Sequence, residues 1–425
     1  MKTTSLPDAS APASTREERA HLRPRGSSQG GLRQYNERVV LQAIRLHGAL
    51  PGADIARLTG LTAQTVSMIT KRLIDDGYLR KGAPQRGKVG QPSVPLSLAP
   101  EGAYAIGIKV GRRRLDTLLV DFTGQACSRW SLDYRFPDPE QVLDEIRQRF
   151  AAIRRRLGAQ GRGRMQGIGL AAPLALSGWQ SLLGVDPAAA ERWARLDLRD
   201  AVENLCDWPV VSMKDTAAAC IAELVAGRGR GMHSFLYIFV DTFIGGGLVI
   251  DSHLRSGATG NAGAIGSMPL GLAAGQGAAP QLLSVASLHT LEVAWRDAGL
   301  AEPIAGVAQA LQSPWRPVTR AWLQQAALAI AHSINGAACL LDLDGVIVDG
   351  AIERDLLAEL LAATNTAMTR YSWEGVTAPQ LLAGTIGADA GALGGALLPL
   401  HANFAPDRNL FLKDATAAQA DVQPR

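Results

Sequence analysis

The chain has 425 residues, 47% of them hydrophobic, which is enough for two or three domains with a sizeable core. It has no long uninterrupted apolar run and no N-terminal apolar signal segment, so the composition speaks against membrane-spanning and secreted classes. The net charge of +4 hides an asymmetry: residues 1–99 carry 15 Lys+Arg against 7 Asp+Glu, a basic head on a mildly acidic body. The four cysteines, Cys127, Cys206, Cys220 and Cys339, are far apart and form no C-x-x-C pair. We read them as reduced thiols of a cytoplasmic protein.

Residues 1–30 are rich in Ala, Ser, Pro, Arg and Gly and read as a disordered tail. Residues 33–47 form an amphipathic helix with Tyr35, Val39, Val40, Ala43 and Ile44 on its packing face. The stretch PGADIARLTGLTAQTVSMITKRLIDDGY, residues 51–78, reads as helix, turn and helix. Gly60 can adopt the left-handed conformation that ends the first helix, and Thr62 suits the N-cap of the second. Val66, Ile69 and Leu73 recur at helical spacing as a buried stripe. The opposite face carries Gln64, Ser67, Met68 and Lys71, with Thr65 and Arg72 at its margins. Short hydrogen-bonding groups near a helix start, with cations further along, suit a major groove and its phosphates. Two strands, 78–81 and 94–98, would then flank GAPQRGKVGQP, a wing with Arg86 and Lys88 at its tip. We therefore expect a winged helix-turn-helix over residues 31–98, with Thr62, Gln64, Thr65 and Ser67 toward bases and Lys71, Arg72, Arg86 and Lys88 toward phosphate.

From Ala103 the pattern changes. AYAIGIKV and LDTLLVDFTGQ read as strands joined by GRRR, CSRWSLDYRF as a third strand, and residues 139–157 as a helix with Val142, Ile146, Phe150 and Ile153 inward. MQGIGLAAPL, WPVVSMKD and FLYIFVDTFIGGGLVID read as further strands, with the helix TAAACIAELVAG between the last two. Residues 321–341 read as a long apolar helix, LDGVIVDG as a buried strand, 355–370 as a helix and GADAGALGGALLPL as a small-residue helix. The recurrence of strands, helix, strand, helix, strand predicts a duplicated α/β body over residues 99–425, with a ligand cleft between two lobes.

Several of these motifs, in this order, resemble the ROK family of transcriptional regulators and sugar kinases: RQYNERVVLQAI, the helix-turn-helix, GQPSVPLSLAP, IGIKVGRRRLDTLLVDFTG, VSMKDTAAACIAE, DTFIGGGLVIDSHLRSGATGNAGAIGSMPL and GADAGALGGA. The resemblance runs from about Arg33 to His401. It implies a winged head on a two-lobed actin/hexokinase-like domain, control of sugar-utilisation genes, and a sugar effector in the cleft.

The chemistry that the resemblance implies is only partly kept. The family's early Asp-x-Gly-Gly-Thr-Lys phosphate turn is here Lys109-Val110-Gly111-Arg112-Arg113-Arg114, and its second, Gly-Thr-Gly-Ile-Gly-Gly-Gly, is Asp241-Thr242-Phe243-Ile244-Gly245-Gly246-Gly247. Asp215 keeps the place of the family's catalytic base within Lys214-Asp215-Thr216-Ala217. It either binds a ligand hydroxyl or caps the helix that follows. The Glu and zinc-binding His of Ala-Gly-Glu-x-Gly-His are Ala264 and Ser267, and no cysteine lies between Gly275 and Glu292. We expect no metal, no cofactor and no kinase turnover. The candidate effector contacts are Lys109, Lys214, Asp215, Gly245, Gly246 and Asn261. Lys109 and Lys214, standing where the family has Asp and Asn, predict a more positive cleft and a sugar, sugar acid or sugar phosphate as effector. The expected partners are double-stranded DNA, that small molecule, and a second copy in a homodimer or dimer of dimers. The alternatives are a sugar kinase with an added head, or a constitutive repressor that uses the body as a dimerisation scaffold.

Overall fold

The computed structural model describes residues 29–84, 93–174, 187–272, 278–301 and 309–406. The head opens with α1 (Gln29–His47), α2 (Gly52–Thr59) and α3 (Ala63–Asp75). Gly60 ends α2 at φ 68°, and the Thr62 hydroxyl accepts the Thr65 N–H to cap α3. Val66, Ile69 and Leu73 are buried against Val40, Leu41, Ile44 and Ile55. A short hairpin follows, β1 (Leu79–Lys81) against β2 (Leu96–Leu98). Leu50 adds an antiparallel bridge to Leu96 between α1 and α2. The expected wing tip, Arg86 and Lys88, lies outside the described residues, as does most of the expected tail.

The first lobe contains β3 (Tyr104–Val110), β4 (Arg114–Asp121), β5 (Ala126–Asp133), α4 (Pro139–Arg162), β6 (Met165–Ala172), α5 (Pro187–Arg195), α6 (Leu198–Glu203) and β7 (Val210–Lys214). Val142, Ile146, Phe150 and Ile153 all bury one face of α4 on this sheet. The helix runs past the expected end at residue 157, across a break at Gly158, where φ is 59°. The second lobe contains α7 (Asp215–Ala226), β8 (Phe235–Val240), β9 (Gly245–Ile250), β10 (His253–Arg255), α8 (Leu283–Ala286), α9 (Leu288–Asp297), α10 (Arg316–Leu341), β11 (Gly345–Gly350), α11 (Arg354–Met368), β12 (Gln380–Ala383) and α12 (Ala390–Phe404). The long helix α10 starts five residues before the expected 321. Pro317 falls in its first turn, where a missing N–H costs no hydrogen bond.

The sheets run β5-β4-β3-β6-β7 and β10-β9-β8-β11-β12. In each, the first three strands in sequence are antiparallel and the last two join in parallel. The body is thus one topology used twice. Helix α7 leaves the end of β7 in the first lobe and packs on β9 in the second. Helix α12 crosses it and returns to β3 and β6. A Cβ on Gly394 would strike the Ala218 carbonyl of α7, and one on Gly169 would strike Gly395 of α12. Glycine at these positions lets the crossing helices and the sheet approach at backbone contact.

Head and body share one core. The cluster that holds Val40, Ile55, Val66 and Leu73 continues into Ala103, Leu118, Val120, Phe122, Ala396 and Leu400. Tyr78 and Phe122 each meet Phe404 edge-on and are tilted to each other, with centroids 4.6 to 5.7 Å apart. Only the short 3-10 turn Pro100–Gly102 separates β2 from β3. Arg164 of the body donates to the Asp76 carbonyl at 2.7 Å and lies over the Tyr78 ring. Arg230, just after α7, donates to the Leu46 carbonyl at the end of α1, at 2.9 Å. The head is therefore anchored to both lobes.

Candidate functional site

Two sites emerge, one on the head and one between the lobes. On α3, Thr62, Gln64, Ser67 and Lys71 are exposed, and Met68 is 62% exposed among them. This face is exposed, whereas Val66, Ile69 and Leu73 behind it are buried. Thr65 is half-buried and its hydroxyl lies 2.9 Å from that of Thr62, so both are partly occupied in capping. Arg72 has a different job from the one expected. Its guanidinium lies 3.5 Å from Glu37 of α1 and 3.6 Å from Asp76, which makes it a brace between α1 and α3. Lys71 remains the phosphate candidate on this helix. Lys71→Ala is expected to weaken binding to all DNA sequences similarly and to reduce the slope of log affinity against log salt by about one. Titrations at several salt concentrations check this; a changed base preference would give Lys71 a role in readout instead.

Between the lobes lies a cleft of about 260 Å³, lined by Arg112, Lys214, Asp215, Thr216, Gly245, Asn261 and Ser267 among others. Lys214 ends β7, and its ammonium donates to Asn261 Oδ1 at 2.8 Å. Burial pulls the Lys214 amine below its ordinary value, and Asp215 offsets part of that. Asp215 opens α7 and accepts the Thr216 N–H at 2.8 Å. Burial pushes its carboxyl up, against the pull of Lys109, the Thr216 N–H and Arg112. Gly245 lines the cleft, whereas Gly246 is buried and presents its carbonyl to Thr216 Oγ1 at 2.8 Å.

Lys109 does not line this cleft. It is 4% exposed, and its ammonium meets Asp241 Oδ2 at 2.6 Å. The expectation that Lys109 makes the cleft more positive is therefore corrected: its charge is spent on Asp241. Burial alone would lower the Lys109 amine, but Asp241 holds it above its ordinary value. Burial alone would raise the Asp241 carboxyl, but Lys109, the Thr242 N–H and Arg112 hold it below. The pair joins β3 of the first lobe to the end of β8 in the second, across 132 residues of sequence.

The three arginines after Gly111 divide. Arg112 stacks on Phe243 at 5.0 Å and lines the cleft. Arg113 reaches Glu292 at 3.3 Å and the Arg135 carbonyl at 2.8 Å. Arg114 pairs with Asp116 at 2.8 Å within its own sheet. Sequence reasoning left Arg112 out of the candidate contacts because nothing in an Arg-Arg-Arg run says which one turns inward.

A phosphate chain needs unpaired backbone N–H groups and a metal-binding carboxylate free to act. Here the Thr242 N–H goes to the Asp241 carboxylate at 2.7 Å, and the Ile244 N–H to Ser287 Oγ at 3.0 Å. Asp241 itself is neutralised by Lys109. Ala264 and Ser267 stand at the positions where the resemblance implies Glu and a zinc-binding His. Among the described residues, no group of three or more His, Cys, Asp or Glu gathers around one point.

The ROK family model matches residues 105–402. The chain belongs to the ROK family. A MarR family model matches residues 34–88, the winged helix-turn-helix head of this ROK protein. The uncharacterized protein y4fQ of Sinorhizobium fredii is 24% identical over 375 residues, 87% of this chain and 91% of that one. The xylose repressor of Bacillus subtilis is 22% identical over 244 residues, 57% of this chain and 62% of the repressor. A solved ROK family transcriptional regulator, a homologue of the E. coli MLC protein, superposes with a TM-score of 0.63 at 18% identity, over 90% of this chain and 98% of that one. At that identity the likeness is one of fold, and it spans head and body together. No described helix is long and apolar enough to cross a membrane.

Proposed function

We propose that this ROK protein is a cytoplasmic DNA-binding transcriptional regulator whose body senses a small carbohydrate-like effector and does not turn over ATP. The observation that carries the reading is the Lys109–Asp241 pair, which stands where a sugar kinase of this fold needs a metal-binding carboxylate and an open phosphate turn. A DNA-binding head fused to such a body has a use for ligand binding without chemistry. The likeness to a xylose repressor supports genes of carbohydrate use as targets. Two heads on a homodimer or a dimer of dimers would meet two half-sites.

The coupling follows from the anchors. Arg164 ties the head to the first lobe and Arg230 ties it to the second. A ligand that prefers one angle between the lobes shifts both anchors relative to each other, and so the spacing of paired recognition helices. It changes DNA affinity only as far as its affinities for the two states differ. Arg230→Ala is expected to shrink the effector-dependent change in DNA affinity and to leave the effector-free affinity within a few-fold. Fluorescence anisotropy with and without effector checks this, and an undiminished response would remove Arg230 from the coupling.

Sequencing the genomic fragments retained by the purified protein tests the main reading. A palindromic site beside transport or catabolic genes is the expected result. ATP consumption with a sugar panel, or no enrichment over random DNA, would overturn it.

A further inference from the structure

Among the described residues, the charged side chains lining the cleft are Arg112, Lys214 and Asp215. Lys109 and Asp241 lie behind them and neutralise each other. The cleft therefore offers two cations against one carboxylate. Both cations are held in place rather than waving in solvent: the Arg112 guanidinium lies on the Phe243 ring at 5.0 Å, and the Lys214 ammonium is fixed by Asn261 Oδ1 at 2.8 Å. An ammonium has three protons to donate, and the two acceptors near Lys214, Asn261 Oδ1 and the more distant Gly246 carbonyl, leave it capacity for a ligand. Holding cations half-buried costs desolvation, which an anion between them offsets.

We infer that the cleft takes a sugar acid, a monosaccharide-sized polyol bearing one carboxylate, held by Arg112 and Lys214 with its hydroxyls toward Asp215 and Asn261. This rests on the reading of the cleft as an effector site and names the class of effector. One surplus positive charge matches a monoanion. A guanidinium suits a carboxylate by charge and by hydrogen bonding. A phosphate dianion fits less well, because the turn that would cradle it has spent the N–H groups of Thr242 and Ile244 on Asp241 and Ser287. The volume of about 260 Å³ has room for a single sugar unit.

Isothermal titration of the full chain tests this. The panel holds hexonates, hexuronates, free hexoses and hexose 6-phosphates in gluco, galacto and manno configuration. The proteins are the wild type, Arg112→Met, Arg112→Lys and Lys214→Met. A hexonate or hexuronate should bind at least about 10-fold tighter than its neutral hexose, as one charge-assisted contact allows. Arg112→Met should lose roughly 10- to 100-fold of that affinity and Lys214→Met a similar factor, while Arg112→Lys, which keeps the charge, loses less. Neutral hexoses binding as tightly as the acids, phosphates binding tighter than the acids, or acid binding indifferent to Arg112→Met would overturn the carboxylate assignment and leave the effector reading standing. Silence of all four classes would sink both.

Discussion

Lys109→Met is expected to lower the unfolding free energy by about 3–5 kcal/mol, the usual cost of stranding one member of a buried ion pair. The figure should fall toward the lower end, because the Asp241 side chain keeps 25% of its surface in water and can recover some solvation. Lys109→Met combined with Asp241→Leu should regain most of the loss, since two apolar groups of similar size need no partner. The pH dependence has a defined direction. Asp241 is held below its ordinary carboxylate value, so its contribution is present above about pH 4 and fades as pH falls through its folded value. Lys109 is held above its ordinary amine value, so its contribution is present below about pH 10 and fades as pH rises through its folded value. The advantage of wild type over Lys109→Met should thus be flat over roughly pH 5–9 and narrow on both sides. Urea unfolding across that range makes the measurement, and a single variant as stable as wild type would mean that the pair contributes nothing.

Phe122→Ala is expected to cost about 3–5 kcal/mol, as for a fully buried aromatic, and to loosen the head from the body. Phe122 has no exposed surface and sits between Tyr78 of the head and Phe404 of α12. The Arg45 guanidinium of α1 lies 5.2 Å above its ring and donates weakly to its carbonyl. Burial pushes Arg45 down to about 10, still cationic at neutral pH, so removing the ring leaves a partly desolvated charge without its aromatic face. Scanning calorimetry of the wild type should show head and seam melting in one transition, and Phe122→Ala should split off an earlier one. A single transition in the variant would show that the remaining seam contacts suffice.

Much of the head was legible because its signals are local. The stripe Val66, Ile69, Leu73 needs only helical periodicity, and Gly60 and Thr62 need only the geometry of a helix end. The Leu50 bridge to Leu96 was not legible: a single bridging residue has no alternation to read. Nor was the shared core. Ala99 to Gly102 looked like a boundary by composition, yet the apolar faces on either side close on each other through Phe122 and Phe404.

At the cleft, the sequence placed Lys214, Asp215 and Asn261 at matching motif positions, and the structure brings those three to one cavity. The charges at Lys109 and Asp241 were both visible as departures from the family pattern. Their pairing was not, because they stand 132 residues apart and meet only across the two lobes. The division of Arg112, Arg113 and Arg114 among the interlobe cleft, Glu292 and Asp116 was equally hidden.

By itself, then, the sequence determined the strongly periodic elements, the order of head and duplicated body, and the family, but not α5, α6, α8, α9 or β12. Backbone hydrogen bonding imposes fixed periods on any chain, and those periods can be read along one dimension. Only the tertiary structure decided which charges neutralise each other, which ones line the cleft, and that the head rides on both lobes. Coulomb attraction and desolvation depend on distance through space and on local burial, and sequence separation carries neither.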